Sequence, residues 1–324
     1  MTLDAKILYG LRGADETGIS PMALAEQAGT SVATLAQRIT ELCALGYDIE
    51  STPHLGYRLM GSPDVLHADD LLSRLSPNRI VGRDIQVFQQ TSSTNDVAEK
   101  LARDGVPEGV VIFAETQTKG RGRLGRKWLS PVGQGLWFSV LLRPTLAPTS
   151  ITQLTIAAAT AVARAIRSET SLVPQIKWPN DILIRGKKVV GILTELSAEL
   201  DRVRYVIIGI GVDVNVTEFP EELREVATSL AAESGNTFIR AEIAASILAE
   251  LDADYARLAR GEFAALAEEW ERQCITLGQR VVIHIGDRTL SGRAESLDND
   301  GALLLRSDYG HLERVIGGDV ILEK

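Results

Sequence analysis

The feature that most restricts the fold is a glycine-rich, cationic segment at residues 120–128, in which three glycines are interleaved with four cationic side chains. Apolar stretches that predict β-strands lie on either side, at residues 110–115 and 136–142, so the segment is expected to be a loop held between two strands. Glycine lets the main chain approach a ligand closely, and arginine side chains and successive amide groups bind carboxylate or phosphate oxygens. The segment therefore predicts a loop that closes over an anionic small molecule. A solvated basic loop without a function is the alternative.

The same segment contains a G-x-G-x-x-G match at Gly120, Gly122 and Gly125. A dinucleotide-binding Rossmann unit requires a helix directly after the glycines and an acidic residue about 20 positions later. Turn-rich sequence follows instead, and no Asp or Glu occurs between Glu115 and Glu169. These observations argue against nucleotide binding of the Rossmann type.

Length, charge and cysteine content limit the class of protein. The 324 residues allow two or three domains, and the net charge of -9 argues against broad non-specific nucleic-acid binding. The N-terminus lacks a signal-peptide pattern and no long apolar span occurs, which predicts a cytoplasmic protein that does not use a membrane. Cys43 and Cys274 lie far apart and outside any metal-binding spacing, so neither structural zinc nor a disulfide framework is expected, and no protein metal site is predicted.

The first sixty residues predict a helix-turn-helix followed by a two-stranded wing. Ser20 and Ser31 are helix-capping residues, and apolar side chains recur at helical spacing after each of them. Helices are expected at residues 3–11, 20–29 and 32–45. The wing is expected over residues 47–59, with a turn at residues 53–54 in which His54 is solvated.

The outward face of the third helix carries polar side chains that could meet base edges or phosphates. We predict DNA contacts from Ser31, Thr34, Gln37 and Arg38. Residues 1–63 contain four Lys or Arg and seven Asp or Glu, a net charge of about -3 that is unfavourable for binding DNA. A winged helix kept for packing or for protein contact is therefore the alternative.

A run of hydroxyl and amide side chains at residues 91–96 opens an amphipathic helix, and it has two interpretations. Ser93 with Asp96 three positions later has the form of a helix capping box, which would be purely structural. Alternatively, the hydroxyls and the amide of residues 93–95 form a polar pocket for a ureido or carbonyl group.

A second charged motif lies in a predicted hairpin that begins at residue 176. Lys177 stands beside Trp178, and Pro179 fixes the turn, so the lysine is well placed to hold an anion from a rigid element. Asp181 could organise a magnesium ion or the lysine. A solvated lysine is the alternative.

Five motifs resemble, in order and spacing, those of biotin protein ligases. They are residues 93–95, Gln117, and residues 120–128, 177–181 and 209–215. With the N-terminal winged helix, the whole chain is similar to the bifunctional bacterial form, which is both biotin ligase and biotin operon repressor.

This resemblance implies an α+β fold with three domains. Residues 1–63 are expected to form the winged helix-turn-helix, and residues 64–275 a mixed α/β ligase domain like the catalytic domains of class II aminoacyl-tRNA synthetases. Residues 276–324 are expected to form an SH3-like β-barrel, in which we predict strands at 281–285, 290–297 and 302–306.

The resemblance also implies the chemistry. Biotin and magnesium-ATP would give biotinyl-5′-adenylate and pyrophosphate, and the biotinyl group would pass to one lysine of the biotin carboxyl carrier protein of acetyl-CoA carboxylase. ATP, Mg²⁺ and biotin are then substrates, and no tightly bound prosthetic group is expected. Catalytic roles carry over to Arg123, Lys177 and Asp181. Contacts with biotin or adenylate carry over to Ser93, Thr94, Asn95, Gln117, Gly120, Arg121, Gly122, Arg123, Trp128, Lys177, Gly191, Asp213 and Asn215.

One position departs from the family pattern, which more often has asparagine where this chain has Asp213. A carboxylate there would repel phosphate unless a magnesium ion lay between them. The segment that follows Asn215 resembles one that orders over the adenylate.

The resemblance further implies a homodimer formed through the central sheet, with the adenylate as corepressor for DNA binding at the biotin operon. A ligase whose winged helix no longer represses transcription is the main alternative, favoured by the acidic N-terminal balance and by Val32 at the start of the third helix. A lipoate ligase shares the catalytic fold, but it is not expected to join a winged helix to this glycine-arginine loop. A ligand sensor without catalysis would bind biotin and release no pyrophosphate.

Overall fold

The computed structural model describes residues 1–14, 17–52, 55–200 and 202–323. Ser20 and Ser31 begin the second and third helices, and each hydroxyl accepts a hydrogen bond from a backbone amide three residues later. The predicted helix-turn-helix and wing are confirmed, whereas the turn predicted at residues 53–54, with His54, lies outside the described residues. The elements are α1 (Leu3–Gly13), α2 (Pro21–Ala28), α3 (Val32–Ala44), β1 (Asp48–Thr52) and β2 (Gly56–Gly61).

Buried charges fix the linker that follows the wing. The Glu115 carboxylate accepts a hydrogen bond from the Leu66 amide at 2.9 Å and pairs with Arg240 at 2.7 Å. Arg240 also donates to the backbone carbonyl oxygen of Asp64. Because the Arg240 and Glu115 side chains are 1% and 4% exposed, the pair holds the linker against the central domain in a low dielectric environment.

The linker leads into a short helix, α4 (Ala68–Ser73). Arg12 of α1 pairs with Asp70 of α4, so the winged helix is docked on this short helix.

A seven-stranded sheet forms the centre of the molecule, in the order β3-β4-β5-β9-β8-β7-β6, and only β3 and β4 are parallel neighbours. All eight residues of β5 are buried. The strands are β3 (Asp84–Phe88), β4 (Val110–Ala114), β5 (Gly135–Leu142), β6 (Gln175–Lys177), β7 (Asp181–Ile184), β8 (Lys187–Glu199) and β9 (Arg202–Asp213).

Helices cover both faces of this sheet. Alternate residues of β4 and β9 belong to two different apolar clusters, as expected for a sheet that is buried on both sides. One cluster includes α5 (Thr94–Arg103), whose N-terminus faces the strands that carry the motifs. The other includes α6 (Thr152–Thr170), α8 (Arg240–Ala259) and α9 (Phe263–Glu271), and a short helix, α7 (Leu230–Ser234), precedes α8.

The C-terminal part is a five-stranded antiparallel sheet in the order β13-β12-β11-β10-β14. Three of its strands were predicted, whereas β13 and β14 have only four residues each, too short for a clear alternation of apolar and polar residues. The strands are β10 (Arg280–Ile285), β11 (Arg288–Leu297), β12 (Leu303–Ser307), β13 (Leu312–Val315) and β14 (Asp319–Leu322). In the described part of the chain, no helix combines the length and apolar character needed to cross a bilayer.

Candidate active site

The glycine-arginine loop, the central sheet and the C-terminal sheet enclose a cavity of about 630 Å³, a size typical of small-molecule sites. We call this cavity the groove. The predicted residues on its wall are Ser93, Thr94, Asn95, Gln117, Arg121, Gly122, Arg123, Trp128, Lys177, Asp181, Gly191 and Asp213. Motifs that are far apart in the chain therefore meet at one place.

Three glycines form the floor of the groove. Gly209 and Gly211 lie two residues apart on β9, and Gly191 on β8 is paired with Gly211. A Cβ atom at Gly209 would lie 2.3 Å from the side-chain oxygen of Asn95, and one at Gly211 would lie 2.5 Å from the indole of Trp128. Glycine at these positions lets the amide and the indole lie directly on the sheet.

One end of the groove, which we call the polar end, consists of Ser93, Thr94, Asn95 and Gln117. The Ser139 hydroxyl of β5 donates to the Thr94 hydroxyl at 2.7 Å and can also bond the side-chain oxygen of Asn95. Gln117 donates its amide hydrogen to the Ser130 hydroxyl at 3.1 Å. These groups are thus held in position by bonds to one another before any ligand is considered.

The capping-box interpretation of residues 93–96 is wrong. Ser93 is the N-cap residue of α5, but its hydroxyl makes no capping hydrogen bond. The side-chain oxygen of Gln117 instead accepts from the Thr94 amide at 2.8 Å. The polar-pocket interpretation remains, because Ser93 is buried and lies on the groove wall.

Arg121 is neutralised by two carboxylates. It contacts Asp96 at 2.5 Å and Glu195 of β8 at 3.0 Å. Asn95 donates to the same Glu195 carboxylate at 2.7 Å, so the arginine and the amide share one acceptor. Arg121 therefore organises the polar end and does not present an unpaired charge to a ligand.

The opposite end of the groove, which we call the cationic end, contains Arg123, Lys177 and Lys188. Arg123 donates to the side-chain oxygen of Asn180 at 3.1 Å, and no carboxylate of the described residues pairs with it. Burial lowers the pKa of Arg123, but an arginine remains charged at neutral pH. Its charge is therefore available to an anion.

Asp181 pairs with a different lysine from the one expected. Its carboxylate lies 2.6 Å from the ammonium of Lys188, although Lys177 is directly opposite Asp181 in the β6–β7 pair. The Lys188 ammonium also lies 5.2 Å from the centre of the Trp128 ring, within cation–π range. Asp181 and Trp128 thus fix a lysine that the sequence did not single out.

Asp213 is 6% exposed and lies at the end of β9 on the groove wall. Burial raises the pKa of this carboxyl well above its usual range, and the charge of Lys188 opposes that rise. At this position the carboxyl group is therefore biased toward its neutral form.

Two predicted residues have structural roles outside the groove wall. The Asn215 amide donates to the backbone carbonyl of Phe238 at 2.9 Å and accepts from its amide at 3.0 Å. Gly120 allows a close approach within the loop, since a Cβ there would lie 2.5 Å from the Trp128 carbonyl oxygen.

The C-terminal sheet and the segment after β9 close the groove. Asp319 of β14 pairs with Arg126 of the glycine-arginine loop. The main chain at Lys188 bonds to Val226 at 2.8 Å and to Thr228 at 2.9 Å, which ties the segment after β9 to β8. The C-terminal sheet thus contacts the loop, β8 holds the segment after β9, and the groove has walls from three parts of the chain.

Comparison with known proteins assigns these parts. Residues 87–213 match the biotin/lipoate A/B protein ligase family, residues 276–323 match the biotin protein ligase C-terminal domain, and residues 5–58 match an HTH domain. The bifunctional ligase/repressor BirA of Bacillus spizizenii is 37% identical over 306 residues, which are 94% of each chain. The chain belongs to the bifunctional ligase/repressor family.

Two further relatives of this ligase/repressor lack part of its length. The biotin--[acetyl-CoA-carboxylase] ligase of Mycobacterium tuberculosis is 35% identical over 246 residues, which are 74% of this chain and 89% of that protein. The biotin protein ligase from Aquifex aeolicus, solved in complex with biotin and ATP, aligns with a TM-score of 0.64 at 31% identity, covering 74% of this chain and 98% of that one.

The third helix, α3, has the predicted polar face, but the cation on that face is engaged. Arg38 pairs with Asp4 of α1 and with Glu41 of α3. Gln37 donates to Glu41 at 2.9 Å, whereas the Thr34 and Ser31 hydroxyls lie 2.9 Å apart at the helix start. DNA contacts from Arg38 would require it to exchange these carboxylates for phosphate oxygens.

Sequence reasoning missed five residues that line or support the groove. Ser139 carried a signal, because it is the lone hydroxyl in an apolar strand. Gly209 and Gly211 were noticed only as part of a motif, and Glu195 is 74 residues from its partner Arg121. Lys188, the fifth, followed a turn and resembled an ordinary solvated cation.

Proposed function

We propose that this chain activates biotin with ATP to form biotinyl-5′-adenylate and then transfers the biotinyl group to a lysine of a biotin carboxyl carrier protein. The arrangement of the groove is the observation that carries this proposal. Its two ends differ in chemistry and are joined by a glycine floor. A ligand with a neutral ureido ring at one end and a carboxylate at the other matches that arrangement.

The dimensions are compatible with such a ligand. Gly209, Gly211 and Asp213 lie at alternate positions of β9, so they share one face of the strand. Four residues of an antiparallel strand span about 13 Å. A bicyclic ring with a short acyl chain would therefore reach from the polar end to the cationic end.

At the polar end, hydroxyl and amide groups suit the ureido ring. Thr94 and Asn95 are each 3% exposed and are held by Ser139, so their hydrogen-bonding directions are fixed. Discrimination by buried polar groups is strong, because a ligand that cannot complete their hydrogen bonds leaves them unpaired.

At the cationic end, the biotin carboxylate would attack the α-phosphate of ATP. Arg123 and Lys177 would stabilise the negative charge that develops on the phosphate oxygens, beside the Lys188–Asp181 ion pair. Pyrophosphate leaves. The neutral amine of the acceptor lysine then attacks the acyl carbonyl of the adenylate, so that an amide bond forms and AMP and a proton are released. No covalent intermediate on the protein is required, because positioning and charge neutralisation supply the catalysis.

Magnesium is proposed to enter with the nucleotide as part of the substrate. Within the described residues, no three His, Cys, Asp or Glu side chains converge to hold a metal ion. An ion held mainly by phosphate oxygens and water fits the usual behaviour of Mg²⁺ in nucleotide-dependent enzymes.

Biotin-dependent release of pyrophosphate from ATP tests the ligase proposal. Arg123→Ala and Lys177→Ala should each suppress release strongly, whereas Arg288→Ala and Lys100→Ala, which remove exposed cations outside the groove, should leave it at the parental rate. Biotin binding without pyrophosphate release would identify a sensor. Incubation with ATP and either biotin or lipoate, followed by mass spectrometry of the adenylate, separates the two ligase specificities.

We further propose that the adenylate is a corepressor and that DNA binding requires a homodimer. The winged helix and the kinship with bifunctional ligase/repressors support this proposal. Coupling between ligand and dimer of about 1–3 kcal/mol would suffice for regulation. The pairing of Arg38 with Asp4 favours the alternative, a ligase that no longer represses transcription.

Two measurements separate these alternatives. Sedimentation with and without biotin and ATP should show an adenylate-dependent dimer. Selection from random double-stranded DNA should recover a two-part site only in the presence of both substrates, with affinity that falls steeply as salt rises. If no specific sequence is recovered, the protein is a ligase that does not repress transcription.

A further inference from the structure

The carboxyl group of Asp213 has no partner in the groove. It stands on the same face of β9 as the glycine floor, 6% exposed, at the boundary of the cationic end. No hydrogen bond or ion pair joins its side chain to another of the described residues. Because Asp213 lies on the groove wall, its hydrogen-bonding positions face the space that a ligand would occupy, and a ligand can use them.

The surroundings of Asp213 decide which form of the carboxyl group is present. The charge that acts on it is that of Lys188 on the neighbouring strand β8, and that ammonium lies 2.6 Å from the Asp181 carboxylate on β7. On its other side, Asp213 is paired in the sheet with Gly135 of β5, which is uncharged. From the loop and the segment after β9, the charged groups on the groove wall include Arg123, Arg126, Lys127 and Glu225.

Two carboxyl groups therefore share one ammonium. That ammonium is already in contact with Asp181, so a negative charge on Asp213 would have no contacting cation among the described residues. Burial raises the pKa of Asp213 well above its usual range. The positive charge of Lys188 lowers this pKa, but by less than burial raises it.

We infer that Asp213 carries a proton in the ligand-free protein and donates a hydrogen bond to an anionic oxygen, of a carboxylate or a phosphate, at the cationic end of the groove. This inference rests on the proposed function, because the anion is supplied by the acid or by the nucleotide. Asp213 thus helps the groove select anions. An acidic side chain can occupy an anion site here because, when protonated, it is neutral and donates a hydrogen bond.

The opposite role, an ionised Asp213 that holds a cation, agrees less well with the surroundings. No third ligating side chain accompanies Asp213 and Asp181 among the described residues. The Asp181 carboxylate is already bound to Lys188, so a cation at Asp213 would meet one free carboxylate beside an ammonium.

The two roles predict opposite pH dependences. With a protonated Asp213, raising the pH through its pKa removes the donor and adds a negative charge, so the affinity for the anion falls by up to about tenfold per pH unit for one proton. With an ionised Asp213 that holds a cation, the same rise in pH would strengthen binding.

The test is a calorimetric titration from mildly acidic to mildly alkaline pH with the full-length protein, Asp213→Asn and the exposed control Asp287→Asn. One arm uses biotin alone, and the other uses a magnesium complex of a non-hydrolysable ATP analogue. In the parent and the control, affinity should fall with pH in one of the arms, and that arm identifies carboxylate or phosphate as the anion. Asp213→Asn should remove the slope, because an amide donates at every pH in this range.

Infrared spectroscopy of the ligand-free protein provides a readout that does not depend on activity. The carbonyl band of a protonated carboxyl group should be present in the parent at neutral pH and absent from Asp213→Asn. Absence of that difference band, an equal pH slope in the parent and the variant, or affinity that rises with pH would each overturn the inference. If the parent releases no pyrophosphate although the band and the slope are present, the ligase proposal fails and the assignment of Asp213 stands.

Discussion

The two ends of the groove solve different problems with similar side chains. At the polar end, Arg121 is bound by two carboxylates, and Asn95 shares one of them. At the cationic end, two residues further along the same loop, Arg123 bonds the neutral amide of Asn180 and no carboxylate of the described residues. Neighbouring arginines thus have opposite uses: one is neutralised to position recognition groups, and the other keeps its charge for the reaction.

This difference teaches that the charge of a side chain matters less than what already compensates it. A groove whose polar groups are bonded to one another loses little on ligand binding, since those groups are in place beforehand. Charges that are uncompensated in a water-excluded site act strongly on a developing anion. Loss of a group should therefore affect binding at the first end and the rate of reaction at the second.

The largest effect is expected for Arg123→Ala. Removing this guanidinium, which no carboxylate of the described residues pairs with, should lower kcat for pyrophosphate release by about 10²–10³, as for other lost stabilisers of a developing anion, while KM for biotin changes little. Arg288→Ala, an exposed arginine outside the groove, is the matched control. A rise in KM with kcat unchanged would show that the two ends are not functionally distinct.

A smaller effect, on binding, is expected for Ser139→Ala. The variant removes the hydroxyl that donates to Thr94 and to the side-chain oxygen of Asn95. Thr94 still bonds Gln117 and the Asn95 amide nitrogen still bonds Glu195, but the buried Asn95 oxygen loses its donor, which costs about 1–3 kcal/mol. Biotin affinity measured by calorimetry should fall about tenfold or more. Turnover at saturating biotin should stay close to that of the exposed control Ser168→Ala. A large fall in turnover would contradict the assignment of binding to the polar end and of reaction rate to the cationic end.

Asp213→Asn should change stability in a pH-dependent way. Because the folded pKa of Asp213 is raised, its contribution to stability is fully present below the unfolded pKa of about 3.9 and is lost as pH rises through the folded value. Asparagine has no such loss, so the melting temperature of the variant should exceed that of the parent by roughly a few degrees at alkaline pH. Calorimetric melting across the pH range measures this, and a constant difference would show that Asp213 does not titrate.

The smallest effect is expected for Arg126→Ala, which breaks the ion pair between the loop and Asp319. The Arg126 side chain is 64% exposed, so the pair should contribute less than about 1 kcal/mol to stability. Melting at low and high salt should show a shift that salt removes. A larger, salt-independent loss would mean that the C-terminal wall holds the groove closed.

The sequence was informative where function depends on local motifs. The glycine-arginine loop, Lys177 and the residues 93–95 were all identifiable, because glycine, arginine and capping-type residues stand out from apolar periodicity. The helices of the winged domain were predictable for the same reason, since Ser20 and Ser31 mark their starts.

The remainder depended on long-range geometry. A β-bulge between Ile182 and Leu183 shifts the register of β7 against β8 beside Lys188, and the alternation of apolar residues gives no sign of it. Glu195 meets Arg121 only because β8 lies under the loop in the folded sheet. The two C-terminal strands, β13 and β14, have only four residues each, too few for an alternating pattern to be recognised.

The pair formed by Glu115 and Arg240 limits where the winged helix can be removed or replaced without disturbing the catalytic domain. Glu115 lies two residues before Gln117 of the polar end. The pair also hydrogen-bonds the linker from the winged helix, at the Leu66 amide and the Asp64 carbonyl oxygen. A shortened enzyme that begins after Leu66 would lose those anchors and expose a buried charge pair to solvent. If another DNA-binding domain is fused to this catalytic domain, the fusion point should therefore lie before Asp64. It is then outside the residues that shape the groove.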